Sequence, residues 1–178
     1  MLELKLKNEA RDMLIKLIKH YEGLHDGDLR EIGLQPKMCP AGYWTEGYGI
    51  VVTDNNGKMI RGKENKALAY KFSKIKTEEQ AINALIPALA ARENFILKLN
   101  LELNDYQLAA LISFVYNIGS GNFLKSSVLK EIRGKKDKTK IDKYIRAFNK
   151  AGGKVLPGLV NRRTAESYLF IINKLKLF

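Results

Sequence analysis

The sequence has few residues that bind metals or form disulfides. It contains one cysteine, Cys39, and two histidines, His20 and His25. A single cysteine excludes an intramolecular disulfide framework and a structural zinc site built on cysteine ligands. Because the two histidines do not stand at a metal-ligand spacing with that cysteine, we expect no metal and no other cofactor.

Long apolar runs are also missing. The longest lie at residues 108–115 and 168–172, far below the roughly 20 residues needed to span a bilayer. The first residues carry charges throughout, so they lack the apolar run of a secretory signal. We therefore expect the chain to be made and folded in the cytoplasm and to involve a membrane only indirectly.

Acidic residues are in the minority. The 19 Asp and Glu stand against 31 Lys and Arg, which gives a formal net charge of +12. This balance favours a polyanionic partner such as nucleic acid, an anionic membrane or an anionic cell wall, although charge alone also serves solubility. A nucleic-acid binder would concentrate basic and aromatic residues on one element. Here they are dispersed, so we expect no nucleic-acid partner.

The pattern of apolar and turn-forming residues predicts a mostly helical α+β fold in one domain, residues 1–178. Apolar residues at helical spacing predict a helix over residues 8–21 with Glu22 in its last turn and Gly23 as its end. Residues 24–60 are rich in glycine and proline, and Asn56-Gly57 between two short β-type segments predicts a hairpin. We expect an N-terminal lobe at about residues 22–72 with a small antiparallel sheet. A helical lobe would contain about residues 77–178 and the first helix.

Capping residues predict the later helices. The predicted segments are residues 62–72, 77–99 with a bend or break at Pro87, and a buried helix at 105–118 capped by Asn104. Three more follow: one capped by Ser126 or Ser127 and extending to 133, one opened by Thr139 and stopped by Gly152-Gly153, and one that is preceded by Pro157-Gly158 and extends to about 174.

Glu22 stands in an unusual place for an acid. The helix dipole disfavours a negative charge in the last turn, and the adjacent apolar face disfavours it further. Thr45 follows soon after, in a hairpin bracketed by Cys39-Pro40-Ala41-Gly42 and Gly47-Tyr48-Gly49. An acid at a helix end that faces a polar hairpin is how a cleft enzyme presents a proton donor to a bound chain. The alternative is an ordinary solvated glutamate.

Four segments carry a resemblance to a known family. They are YEG (21–23), CPAGYWTEGYG (39–49), LNDYQLAALISFVYNIG (103–119) and NKAGGKVLPGLVNRRTAE (149–166). In this order, over about residues 10–172, they resemble the phage-type lysozymes, which are the endolysin muramidases of glycoside hydrolase family 24. The resemblance implies a lysozyme-like fold with two lobes.

The resemblance also implies which residues act. The family motif of a glutamate, an aspartate or cysteine, and a threonine corresponds to Glu22, Cys39 and Thr45. Glu22 would be the general acid that protonates the leaving oxygen, and Cys39 and Thr45 would position the attacking water. An arginine of the last helix, Arg162 with Arg163 as second choice, would support the acid. For Cys39 the alternative is a small buried filler.

Further residues match the part of the family that contacts the sugar chain. The resemblance implies substrate binding by Tyr48, Tyr116, Asn117 and Asn122. Trp44 would either stack on a sugar or anchor the hairpin.

The sequence also departs from the family pattern. Extra residues at about 26–33 separate Glu22 from Cys39, and Asp26, Asp28 or Glu31 within them could supply a second carboxylate. The alternative is that these acids are merely solvated. Glu46 should point away from Thr45, because neighbouring strand residues face opposite sides, and we expect it in solvent.

The expected function is hydrolysis of the bond between N-acetylmuramic acid and N-acetylglucosamine in bacterial peptidoglycan, for host-cell lysis. The family pattern implies a monomer that stays in the host cytoplasm until a separate pore-former opens the membrane, and then acts on the cell wall. Two alternatives remain open: a lytic transglycosylase, and a wall-binding module with weak catalysis.

Overall fold

The computed structural model describes residues 3–134 and 136–178. Its internal contacts define two compact units. The first is Glu22–Ile86, and the second, which we call the helical unit, combines the chain before Glu22 with the chain from Pro87 onward. The predicted domain of residues 1–178 includes Met1, Leu2 and Lys135, which lie outside the described residues, and it stays a prediction.

The chain is mostly helical. The α-helices are α1 (Asn8–Glu22), α2 (Lys66–Phe72), α3 (Glu78–Leu97), α4 (Asp105–Ile118), α5 (Ser120–Leu124), α6 (Ser127–Arg133), α7 (Lys138–Arg146) and α8 (Pro157–Ile172). The strands are β1 (Lys37–Met38), β2 (Trp44–Glu46), β3 (Ile50–Val51), β4 (Lys150–Ala151) and β5 (Lys154–Val155). Within the described residues no helix combines the length and the apolar character needed to cross a membrane.

The unit Glu22–Ile86 contains a three-stranded antiparallel sheet in the order β1-β2-β3. Thr45 in the central strand stands opposite Lys37 on one side and Val51 on the other. The predicted turn at Asn56-Gly57 is present, because Thr53 and Met59 form a bridge beside it. A small sheet in the N-terminal half of the chain is therefore confirmed.

Trp44 anchors this sheet. Its side chain is buried in a cluster with Val52, Ile60 and Ala69, and its Nε1 donates a hydrogen bond of 2.8 Å to the carbonyl of Gly62. A buried indole whose N–H has a protein partner is satisfied within the fold. Of the two roles expected for Trp44, the structure supports the hairpin anchor.

The helical unit is built around α4. Its residues 108–115 are all buried, and α4 packs against α8, which in turn packs against α7. Asn104 and Gln107 form a capping box at the N-terminus of α4. The prediction of a capped, buried helix is confirmed.

Some predicted boundaries were wrong. Helix α3 continues through Pro87, so the break is absent, and a bend there stays a prediction. Helix α7 begins at Lys138, because the side chain of Asp137 caps it by accepting from the backbone N–H groups of residues 139 and 140. Gly152-Gly153, predicted to stop a helix, instead form the turn between β4 and β5, and both have positive φ angles. Helix α5, which follows Gly119, was not predicted.

Candidate active site

One face of the β1–β2 hairpin carries the predicted polar residues. Thr45 and Lys37 are cross-strand partners, and the backbone N–H of Cys39 donates to the carbonyl of Tyr43 at 2.8 Å. Because side chains alternate along a strand, residues two apart share a face. Cys39 and Thr45 therefore lie on the same face of the hairpin. Cys39 is a free, partly buried cysteine.

Glu22 lies next to this hairpin. It is the last residue of α1 and is partly buried, and Gly23 ends the helix with a φ of 68°. A Cβ placed on Gly49 would lie 3.9 Å from Oε2 of Glu22. The carboxylate thus approaches the turn between β2 and β3 at a residue that has no side chain. The sequence-based expectation that an acid at a helix end meets a polar hairpin agrees with this geometry.

His25, which belongs to no sequence motif, joins the same group. Its Nδ1 lies 2.7 Å from Oγ1 of Thr45, and its backbone N–H donates to the carbonyl of Gly47 at 2.8 Å. Oγ1 of Thr45 also donates to the carbonyl of Lys37 at 2.9 Å. The available signal was the position of His25, three residues after Glu22 where the chain leaves α1.

The surroundings of His25 favour its neutral form. Burial, followed by the nearby positive charge of Lys37, lowers the pKa of His25 from its ordinary value of 6.5, while the charge of Glu22 acts in the opposite direction. Since the net shift is downward, the imidazole is mainly uncharged at pH 7. A neutral imidazole has one nitrogen that is able to accept a proton.

The expectation that Glu46 is a solvent residue is wrong. Glu46 does point away from Thr45, but it is only 6% exposed. Its Oε2 accepts hydrogen bonds from the hydroxyl of Ser73 and from the backbone N–H groups of Lys74 and Ile75, at 2.9, 2.8 and 3.0 Å. The carboxylate is buried because the segment between α2 and α3 supplies these donors, which the strand pattern does not reveal.

Tyr48, predicted to bind substrate, is also inside the fold. It is 2% exposed, and its hydroxyl donates to Oε1 of Glu78 at 2.8 Å. Burial and this hydrogen bond raise the pKa of Tyr48 well above its ordinary value. The position fits an anchor for the β2–β3 turn, and substrate contact by Tyr48 stays a prediction.

Two acidic residues of the extra loop at residues 26–33 bond to groups within the loop or next to it. Oδ1 of Asp26 accepts from the backbone N–H groups of Asp28 and Gln35, both at 3.3 Å. Asp28 pairs with Arg30 at 2.8 Å, and this partner holds the pKa of Asp28 well below its usual value. Asp26 and Asp28 thus organise the loop, Glu31 is exposed, and a second catalytic carboxylate from this loop stays a prediction.

The two ends of this loop, at Gly27 and at Gln35 and Pro36, lie against each other, and we call this crossing the neck of the loop. The backbone N–H of Gly27 donates to the carbonyl of Gln35 at 2.9 Å. A Cβ on Gly27 would lie only 2.2 Å from the carbonyl oxygen of Pro36. No side chain fits there, so glycine is required at this crossing of the two chain segments.

In the helical unit, the two predicted arginines belong to a buried ionic group. Glu166 is fully buried and pairs with Arg162 at 3.1 Å and with Arg163 at 2.8 Å. The hydroxyl of Ser113 donates to Oε1 of Glu166 at 2.7 Å. The guanidinium of Arg162 lies 6.0 Å from the ring of Tyr21, the residue that precedes Glu22 in the chain. Support of Glu22 by Arg162 stays a prediction.

The predicted sugar-binding residues of the helical unit lie around the end of α4. Asn117 and Asn122 are exposed and line a surface depression together with Lys150 and Leu156. Oδ1 of Asn117 accepts from Nη2 of Arg163, and the ring of Tyr116 has the guanidinium of Arg92 at 5.5 Å. The depression offers amide groups and apolar surface, which is a combination that carbohydrates bind.

Comparisons with known proteins place these observations in one family. The model of the family described as phage lysozyme matches residues 9–166. An endolysin of Acyrthosiphon pisum secondary endosymbiont phage 1 is 32% identical over 157 residues, which cover 86% of this chain and 92% of that protein. An endolysin of Bacillus phage PZA is 30% identical over 156 residues. This match covers 88% of the chain but only about half, 52%, of the Bacillus phage protein.

A solved structure shares the fold. The endolysin from Escherichia coli O157:H7 phage FAHEc1 superimposes with a TM-score of 0.69 over 97% of each chain, at 23% sequence identity. At this identity the likeness concerns the fold alone. The matched family segment includes the whole of the hairpin that carries Thr45, together with Glu22 and the Arg162–Glu166 group.

Proposed function

The chain belongs to the phage lysozyme family, and on this premise we propose that it cleaves the β-1,4 bond between N-acetylmuramic acid and N-acetylglucosamine in bacterial peptidoglycan. The predictions of the family, of a mostly helical lysozyme-like fold and of a lysozyme-type hydrolase are confirmed by the comparisons. The cleaved bond, the substrate and the roles of individual residues are proposed from the geometry of the site and from the family.

The proposal depends most on the position of Glu22. Its carboxylate lies against Gly49, at the end of the hairpin whose face carries Cys39 and Thr45. Glycosidic cleavage requires an acid that protonates the leaving oxygen and, on the other side of the sugar, a group that directs water. Glu22 is the acid in this proposal, and the hairpin face holds the water.

Cys39 and Thr45 have different capacities on that face. A thiol is a weak donor and a weak acceptor, whereas a hydroxyl has one donor and two acceptor sites. The hydroxyl proton of Thr45 is donated to the carbonyl of Lys37 and Nδ1 of His25 lies on one of its acceptor sites. In our proposal Thr45 therefore offers its remaining acceptor site to the water, and Cys39 contributes a small polar surface beside it.

The remaining roles follow from charge and family. The net charge of +12 would attract the chain to an anionic cell wall. Asn117, Asn122 and Tyr116 would bind sugars of the substrate, and Arg162 would support the acid. Tyr48, which is buried, would serve substrate binding by holding the β2–β3 turn. We propose a monomer that acts on the wall for host lysis, and that reaches the wall from the cytoplasm after a separate pore-former has opened the membrane.

Mass spectrometry of the muropeptides released from purified peptidoglycan tests this proposal. Wild-type protein should release fragments with reducing muramic ends. Glu22→Gln should lower the rate at least about 10³-fold, because an amide has no proton to give at this step, and should leave the melting temperature unchanged. Glu79→Gln in the exposed first turn of α3 is the matched control, and we expect it to keep wild-type activity.

Other products would contradict the proposal in distinct ways. Anhydro-muramic ends would identify a lytic transglycosylase, in which a hydroxyl of the substrate replaces water. No release by wild-type protein that still binds peptidoglycan would identify a wall-binding module.

A further inference from the structure

The hydrogen bonds around Thr45 determine how its neighbour His25 is protonated. A threonine hydroxyl has one proton. Oγ1 donates it to the carbonyl of Lys37 at 2.9 Å. The shorter contact of 2.7 Å, to Nδ1 of His25, must then use a proton on Nδ1. In the neutral imidazole this leaves Nε2 without a proton and with a free lone pair.

Nε2 is accessible for chemistry. Among the described residues it has no hydrogen-bond partner, and it is not one of the buried polar atoms that lack one. The rest of the residue is fixed, because its backbone N–H is bonded to Gly47 and its Nδ1 to Thr45. An imidazole held at Nδ1 with a free Nε2 has the arrangement of a general base.

We propose that His25 is the general base of this enzyme, accepting at Nε2 the proton of the attacking water, and that Thr45 is the positioning residue that fixes the imidazole. This inference rests on the proposed function. The family motif allows an aspartate or a cysteine at the place of Cys39, and because the thiol present here is a weak acceptor, the proton of the water needs another acceptor.

The proton transfers balance with the groups present. The water oxygen forms a bond to the anomeric carbon as the bond from that carbon to the leaving oxygen breaks. The carboxyl proton of Glu22 passes to the leaving oxygen, and one water proton passes to Nε2 of His25. The products are a new reducing end, a free hydroxyl, a Glu22 carboxylate and an imidazolium. Proton exchange with solvent then restores both side chains.

Two charged groups act on His25, and they act in opposite directions. Lys37, its neighbour on β1, favours the neutral ring, and Glu22 at the end of α1 favours the charged ring. Thr45 and Gly47 contribute uncharged contacts. Because the base must be neutral, the rate should fall as the pH is lowered through the pKa of His25, which lies below its ordinary value of 6.5.

His25→Asn separates a base from a mere support of the hairpin. The asparagine amide N–H is able to donate to Thr45 in place of Nδ1–H, but the side chain neither titrates nor accepts a proton. We expect kcat to fall about 100-fold or more, the melting temperature to stay unchanged, and the fall in rate at acidic pH to disappear. His20→Asn is the matched control, because His20 is exposed on α1, where it lies 3.5 Å from the carbonyl of Phe178 and edge-on to the ring of Tyr21; wild-type rates are expected.

A second measurement does not depend on activity. Nitrogen NMR of the wild-type imidazole at neutral pH should show a proton on Nδ1 of His25 and none on Nε2. The opposite tautomer would overturn the inference.

The two proposals fail differently. If the wild type releases reducing ends and His25→Asn matches it within threefold with the same pH profile, His25 is not the base and the proposed function stands. If the wild type releases no reducing ends, the proposed function is wrong and the role of His25 is wrong with it.

Discussion

The two faces of β2 carry neighbouring residues that are equally buried but differently bonded. Thr45 is 4% exposed and Glu46 is 6% exposed. Thr45 meets an imidazole, whose charge changes near neutral pH, and one carbonyl. Glu46 accepts three donors from the segment between α2 and α3, two of which are backbone groups. Burial alone therefore does not distinguish a face suited to catalysis from a face that stabilises the fold, whereas the hydrogen-bond partners do.

The Glu46 face should respond to mutation by losing stability. Glu46→Ala leaves the hydroxyl of Ser73 and the N–H groups of Lys74 and Ile75 without their acceptor. We expect the free energy of unfolding to fall by about 3 kcal/mol, measured by denaturant titration, while the rate per folded molecule stays within twofold. Glu46→Gln keeps an acceptor oxygen and should lose less. If Glu46→Ala lost activity while its free energy of unfolding stayed unchanged, the Glu46 face would serve catalysis and not stability.

The Thr45 face should respond by losing activity. Thr45→Val keeps the shape of the side chain but removes the oxygen that accepts from His25. We expect kcat to fall about 30-fold, equivalent to about 2 kcal/mol, with a smaller change in the free energy of unfolding. Thr53→Val, at the isolated bridge to Met59 just after β3, is the control. If Thr45→Val and Thr53→Val changed kcat equally, Thr45 would have no specific role in the reaction.

Of the substitutions on this face, that of Cys39 should change the rate least. Cys39→Ser replaces one small polar group by another that both donates and accepts, and we expect a rate within about threefold of wild type on isolated peptidoglycan. A loss greater than about 30-fold would mean that the thiol itself takes part in the reaction, and that His25 does not act as the only base.

Local patterns predicted the parts of the fold that local interactions decide. The apolar spacing of α1, the capping box at Asn104 and the turn at Asn56-Gly57 all appear in the structure. Each depends on residues close in sequence, so propensity and capping are sufficient.

Hydrogen-bond partners that are far apart in the sequence were not predictable in this way. Glu46 and Ser73 are 27 residues apart, and His25 and Thr45 are 20 apart. No period or motif connects such pairs. Strand alternation gave the correct face for Glu46, but the surroundings of that face depend on how the α2–α3 segment folds over it. Glu22, Cys39 and Thr45 were predicted from the resemblance, and His25 received no predicted role because it belongs to no motif.

The closed neck of the loop at residues 26–33 has a consequence for insertions in this part of the chain. The chain leaves the site at Gly27 and returns beside it at Gln35 and Pro36, so the intervening residues form an appendage whose two ends are joined. Insertions in such an appendage change its size without changing where β1 begins. The position of the β1–β2 hairpin is thereby independent of the length of this loop.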